Sequence, residues 1–258
     1  MNDRSNISQL SIVERIAAAK AKTERVVNHL LYVMELHENN EIIVYSPTLR
    51  SQIPTSYAAN AFIIFRHGLH QFEIVRLCAL WDSVGMEKEN IPTIIELIDH
   101  PDVIEALAEQ TAAHWKGQEF GLLNPSDDPE LSALEAKALR QSNNEFGEQQ
   151  AQRARDELRD AIGRSRTILA TPKLASIMNL RDKYLAHSLT ETRRERKVGS
   201  IDPMKYGDER EMLNASLPIV QALYCWVNGT SFDFENSREI DRENAKALWE
   251  ACTFDIKR

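Results

Sequence analysis

Residues 57–82 read YAANAFIIFRHGLHQFEIVRLCALWD. Ala58, Ala61, Phe62, Phe65, Leu69, Phe72, Val75 and Ala79 follow one another mostly at steps of three and four, the spacing that gathers side chains on one face of an α-helix. Ile64, Ile74, Leu77, Cys78 and Trp81 widen that face. Thr55 or Ser56 can supply an N-capping hydroxyl. The stretch therefore predicts a helix reaching about Asp82, and its broad apolar circumference predicts a central place in the fold.

The same periodicity extends in both directions. Val13, Ile16, Thr23, Val26, Leu30 and Met34 predict a long helix from about Ser8 to His37. It is expected to stop near Glu38-Asn39-Asn40, because asparagine competes for local backbone bonds. Glu41 to Tyr45 reads as a short extended run, and Ser46-Pro47 and Ile53-Pro54 interrupt the chain. Pro92 and Pro101 each open a helix, the second running towards Trp115, and 117–128 reads as a loop.

From Pro129 to about Arg166 the composition shifts to Ala, Glu, Gln and Arg, with few apolar residues around Gln141–Gly147. Either two helices meet there or one long arm projects. A solvated pair of helices held by charge pairs is the expectation. Thr171-Pro172 restarts a helix that carries Leu174, Ile177 and Met178 into the segment Leu180–Ser188. A polar linker with Arg193, Arg194, Arg196 and Lys197 follows. Two more helices are expected, from about Asp208 to Asn228, ended by Gly229, and from about Ser237 to Cys252. The fold class is all-α, one helical domain over 1–258 with a core at about 8–190 and a C-terminal helical extension at about 206–253.

Composition narrows the function. Only nine glycines and nine prolines in 258 residues leave little punctuation for many strands and turns. A formal net charge of -8 excludes wholesale coating of nucleic acid, which rests on Lys and Arg neutralising phosphates, but leaves room for a local basic cluster. Cys78, Cys225 and Cys252 lack metal-ligand spacing and read as free thiols in a reducing compartment. The first residues lack a signal-peptide profile, and no apolar run approaches the roughly 18 residues of a membrane span. A cytoplasmic protein without a membrane partner is expected.

No glycine-rich phosphate loop, Cys-x-x-Cys, His-Glu-x-x-His or Gly-x-Ser-x-Gly occurs. His67, His70 and Glu73 share helical spacing and are weighed as metal ligands, but no further ligand is identifiable and a solvated polar face is the better reading. Arg181, Asp182, Tyr184 and His187 differ in kind. On a regular helix Arg181 and His187 lie about 120° apart in rotation and roughly 9 Å apart along the axis, with Tyr184 between them. Arginine offers planar, permanently charged donors to phosphate oxygens, and histidine exchanges protons near neutrality. That pairing suits a phosphodiester and needs no metal or other cofactor. The plainer alternative is a histidine interacting with a helix C-terminus and an arginine in a surface ion pair.

Arg181-Asp182-Lys183-Tyr184-Leu185-Ala186-His187 resembles the signature of the HEPN superfamily, an arginine, a polar residue and, after a short spacer, a histidine. With Arg76-Leu77-Cys78-Ala79-Leu80-Trp81-Asp82 and Ile91-Pro92-Thr93-Ile94-Ile95-Glu96-Leu97 before it, the chain resembles the abortive-infection AbiU-like branch over about Ala58 to Ser188. The resemblance implies a HEPN-type helical bundle, here with additional long charged helices and C-terminal helices. It implies a homodimer that brings two Arg/His motifs to a shared cleft and, in active members, cleaves RNA without metal, leaving a cyclic phosphate. Toxin or phage-defence roles, with a protein antitoxin or defence partner, go with it. Arg181, His187, Tyr184 and Asp182 are then the catalytic candidates, and Arg193, Arg194, Arg196 and Lys197 the RNA-binding ones. Non-catalytic dimerisation or interaction modules are also found in the superfamily.

Overall fold

A computed structural model describes residues 3–116 and 126–256 of the chain. Among these residues it contains α-helices, one π turn and no strand. The loop expected at 117–128 lies outside the described residues up to 125. Helix α1 (Asp3–Ser8) leads to α2 (Ile12–Tyr45), a 34-residue helix that forms the axis of the fold. It packs against α4 (Tyr57–Leu80), α5 (Ile91–Ile98), α10 (Asp208–Asn228) and α11 (Phe234–Trp249). Ala19, Val26, Leu30, Val33 and Met34 of α2 are completely buried in the core.

Helix α2 does not end at Asn39-Asn40, nor is Glu41–Tyr45 extended. Tertiary partners occupy the asparagine side chains that would otherwise break the helix. Asn40 Nδ2 donates to Glu73 Oε2 at 2.6 Å, and Asn39 Oδ1 accepts from Trp249 Nε1 at 2.8 Å. The stop comes at Ser46-Pro47, where proline opens the short α3 (Pro47–Gln52). At the other end Arg15 donates to the carbonyls of Glu96 and Leu97 at 2.8 and 2.7 Å, capping the last turn of α5.

Helix α4 begins where expected, with Ser56 Oγ accepting from Ala59 N at 3.2 Å. Its position is not the central one its hydrophobicity suggested. Burial is confined to Glu73, Ile74, Leu77, Cys78 and Leu80, while Tyr57, Ile63, Ile64, Phe65 and Phe72 are exposed. One flank touches the end of the chain, through Phe65 on Trp249 and Phe62 on Phe254. The axial place belongs to α2, which is buried along most of its length, from Ile16 to Ile43, and packs against α5, α10 and α11 as well as α4.

Helices α5 and α6 (Pro101–Lys116) follow, and then one 41-residue helix, α7 (Pro129–Leu169), in place of the expected pair. At 1.5 Å per residue α7 is about 60 Å long. Gly147 does not break it. A Cβ there would come within 3.0 Å of the Ala112 carbonyl oxygen, so the glycine lets α6 and α7 approach closely. Beyond Gly147 the face Ala151, Ala154, Leu158, Ala161 and Ile162 is buried, whereas Leu131 and Leu134 before it are exposed. The first half of α7 therefore projects. Beyond Gly147, Arg155 with Glu105, Lys116 with Glu148 and Arg166 with Asp99 link α7 to the preceding segment.

Helix α10 starts at Asp208 and ends at Gly229, whose φ of 72° places it in the left-handed region that glycine reaches without strain. Trp81 Nε1 donates to Ser216 Oγ at 2.8 Å, joining α10 to the end of α4. Helix α11 begins three residues before the expected Ser237, capped by Asp233. Arg238 and Arg242 hold it to buried Glu38 of α2. Among the described residues no helix is long and apolar enough to cross a membrane.

Candidate active site

The Arg/His segment grows out of α8 (Pro172–Leu180), whose start is set by Thr171 Oγ1 accepting from Leu174 N at 3.2 Å and by Pro172 at the first turn. Leu174, Ile177 and Met178 bury one face. The helix then widens. Residues Arg181–Leu185 form a π turn, closed by a hydrogen bond of 2.8 Å from Ala186 N to the Arg181 carbonyl. A further backbone bond from Leu189 N to the Lys183 carbonyl, at 3.0 Å, leads the chain away. The segment expected on a single helix thus leaves helical geometry before His187. The 100° per residue that placed Arg181 and His187 a third of a turn apart does not hold across it. Such π turns are frequent at functional sites.

Arg181 is anchored at the foot of this turn. Its Nε and Nη2 meet Asp182 Oδ1 at 2.8 and 2.7 Å, and Nη2 lies 3.9 Å from Asp82 Oδ1 beyond the C-terminus of α4. Burial acts to lower its pKa, but the hydrogen bond to Asp182 and the surrounding negative charge raise it, so the guanidinium is charged. Asp182 occupies one edge of the guanidinium; among the described residues no hydrogen bond involves Nη1. Cys78 lies beneath, its Sγ 3.7 Å from the Ile177 carbonyl, and burial pushes its thiol up to about 12. It is no nucleophile near neutral pH. Arg76 turns elsewhere, its guanidinium 5.4 Å from the centre of the Tyr32 ring.

The family profile HEPN_AbiU2, described as AbiU2, matches residues 16–248. The chain belongs to the AbiU2 family of HEPN proteins. The match reaches well beyond residues 58–188, taking in most of α2, all of α10 and nearly all of α11. No curated protein and no solved structure matches the chain.

In this AbiU2-family chain the basic cluster is not on a linker. Thr192 and Glu195 form a capping box that opens a short helix, α9 (Arg193–Val198). Glu195 Oε2 accepts from Thr192 N at 2.8 Å, while Oε1 accepts from Lys183 Nζ at 2.9 Å and from Asn179 Nδ2 at 3.1 Å. Thr192 Oγ1 donates to Asn179 Oδ1 at 2.6 Å. The hydrogen bonds from Lys183, the Thr192 backbone and Asn179 hold the Glu195 carboxyl at about 2. This clasp fixes α9 to α8 and the π turn, and it presents Arg193, Arg194, Arg196 and Lys197 on the exposed side. Arg196 also pairs with Glu191 at 3.4 Å. Asn179, Thr192 and Glu195 were not singled out in the sequence, although Thr-x-x-Glu after a polar run is a capping-box signal.

The other candidates are dispersed. His187 is exposed. Tyr184 is 67% exposed, with its ring centre 5.9 Å from the Lys183 ammonium, and is not hydrogen-bonded to Arg181. His67, His70 and Glu73 diverge instead of converging. Glu73 is fully buried and accepts from Asn40, with His37 Nδ1 at 2.7 Å, whereas His70 Nε2 lies 3.5 Å from Glu209 and His67 is exposed. Among the described residues no group of three or more His, Cys, Asp or Glu is arranged to hold a metal ion.

Proposed function

We propose that this AbiU2-family chain is a metal-independent endoribonuclease, acting in the cytoplasm as a toxin or phage-defence effector with its whole length as one helical domain. The observation that carries the reading is the pairing of a positioned cation with an accessible base. Arg181 is held in place by Asp182, and exposed His187 stands six residues on, past a π turn. Arg181 would bind and neutralise the scissile phosphate, which gains charge as the ribose 2′-hydroxyl attacks. His187 would take the hydroxyl proton or protonate the departing 5′-oxygen. The 2′-oxygen–phosphorus bond forms as the 5′-oxygen–phosphorus bond breaks, and a cyclic phosphate results. Asp182 positions the arginine, and α9 supplies local positive charge in an acidic chain.

One histidine cannot be acid and base at once, so a second copy is part of the reading. The bare apolar face of α4, with Ile64 73% exposed, supports self-association. Asp82, just past the end of α4, lies 3.9 Å from Arg181, so a dimer formed along α4 would bring the two motifs towards each other.

RNA incubated in EDTA with wild-type protein should be cut, with His187→Ala slower by about 10²–10⁴. Equal cleavage by the two proteins, or none by the wild type on varied RNAs, would sink the reading. The engagement of Arg181 by Asp182 favours a second one, a non-catalytic dimerisation module. On that view Arg181→Ala and His187→Ala leave no activity to lose, and change either nothing or only the stability of the dimer.

A further inference from the structure

A groove of about 390 Å³ opens beside the π turn, between α4 and the segment before α10, and Tyr184 lines it. Its most unusual feature is Tyr206. The ring is 66% exposed and yet fixed in orientation, stacked on His70 with centroids 5.3 Å apart and planes 17° apart, and edge-on to Tyr45 at 6.4 Å. The support beneath is itself braced. Glu209, 1% exposed, lies 3.5 Å from His70 Nε2 and accepts from Tyr45 Oη at 3.1 Å and from Gly207 N at 2.9 Å. Burial would raise the pKa of Glu209, but the nearby His70 and the hydrogen bonds from the backbone and Tyr45 hold it at about 2, so the brace carries a carboxylate. An exposed aromatic plane braced by a buried, hydrogen-bonded carboxylate is organised for stacking before any ligand arrives.

The rest of the lining specifies what stacks there. Tyr184 offers a second exposed ring, Gln71 and His67 carry polar groups able to meet the edge of a planar heterocycle, and Lys205 places a cation at the same groove. The volume falls within the roughly 300–1,000 Å³ of small-ligand sites. Leu180, Tyr184 and Leu185 line the groove and flank or belong to the π turn that begins with Arg181, so the groove adjoins the turn that carries the phosphate-binding residue proposed above. We infer that this groove receives an unpaired nucleobase of single-stranded RNA, stacked on Tyr206, from a nucleotide flanking the phosphate bound by Arg181. The inference rests on the ribonuclease reading and adds to it a site for base recognition. Stacking on aromatic side chains is the usual way proteins hold unpaired bases.

Binding separates the two ideas. A fluorescently labelled pool of short RNAs, methylated at every 2′-hydroxyl so that it cannot be cut, is titrated with wild-type, Tyr206→Ala, Tyr206→Phe and Arg181→Ala proteins while anisotropy is followed. Loss of one stacked base predicts roughly 5- to 150-fold weaker binding by Tyr206→Ala. Tyr206→Phe, which keeps the ring, should bind within about twofold of the wild type. One fixed sequence from the pool, carrying an abasic ribose scanned along it, should lose affinity for the wild type at one position and lose nothing further there with Tyr206→Ala. Equal affinity of Tyr206→Ala and wild type, with Arg181→Ala weakened, overturns the base site and leaves the ribonuclease reading standing. Failure of the wild type to bind any RNA overturns both. Unchanged melting of the variants shows that the ring, not the fold, is being read.

Discussion

The first sixteen and the last eight residues of α4 are both mostly apolar and have opposite fates. Residues 73–80 sit against the core, where Ile74, Leu77 and Leu80 are buried and Glu73 is buried with its carboxylate hydrogen-bonded. Residues 57–72 carry phenylalanines and isoleucines largely on the outside, touched along one flank by Trp249 and Phe254. Hydrophobic residues in a helix report that a face is to be covered, not by what. In residues 73–80 the cover comes from the same chain; in residues 57–72 much of the apolar surface stays bare, and the proposed dimer would cover it.

Substitutions in the two parts can break or sharpen that contrast. The largest effect is expected from Glu73→Ala, which strips His37 and Asn40 of their buried partner and should cost about 3–5 kcal/mol in urea unfolding. A cost near zero would mean that residues 73–80 are not as tightly closed in as their burial indicates. Leu77→Ala should cost about 2–5 kcal/mol, whereas Ile64→Ala should stay within about 0.5 kcal/mol for the monomer. Similar losses at the two positions would erase the distinction. Ile64→Asp should leave the melting of the monomer nearly unchanged while shifting sedimentation from dimer to monomer. A wild type that sediments as a monomer at all concentrations would remove the dimer from the proposal.

The smallest effect concerns pH. Glu195 titrates at about 2 in the folded chain against an ordinary 4.5, so its contribution is fully present above about pH 4.5 and is lost as pH falls towards 2. Glu195→Gln should therefore lower the melting temperature near neutrality and flatten its decline in acid. Parallel acid limbs for variant and wild type would show that the clasp between α9 and the π turn does not form.

Much of the helical order was legible because its signals are local. Ser56 and Thr171 each place an oxygen on an open amide, Pro92, Pro101 and Pro129 begin helices at their first turns, and Gly229 ends one. Misreadings arose where a distant partner overrode a local preference. Asn39 and Asn40 read as a stop until Trp249 and Glu73 took up their side chains. Gly147 read as a break, although its lack of a Cβ serves the approach of α6. In the site, the Arg/His spacing and the family it indicated were visible in the residues, and the match over 16–248 carries that family assignment across most of the chain. The π turn was not, since Arg-Asp-Lys-Tyr-Leu has no feature that forbids an ordinary helix.

The sequence by itself therefore determined the helical class, most helix starts and the chemical character of Arg181 and His187, all of which follow from short-range periodicity, capping and side-chain type. Only the tertiary structure decided which apolar faces the chain covers itself, that Asp182 and not a neighbouring helix holds Arg181, that Glu195 binds the basic helix to the motif, and that Tyr206 stands fixed on His70 beside it. Those arrangements depend on contacts between residues far apart in the chain or on a local turn that several backbone geometries could have satisfied, and packing is what selects among them.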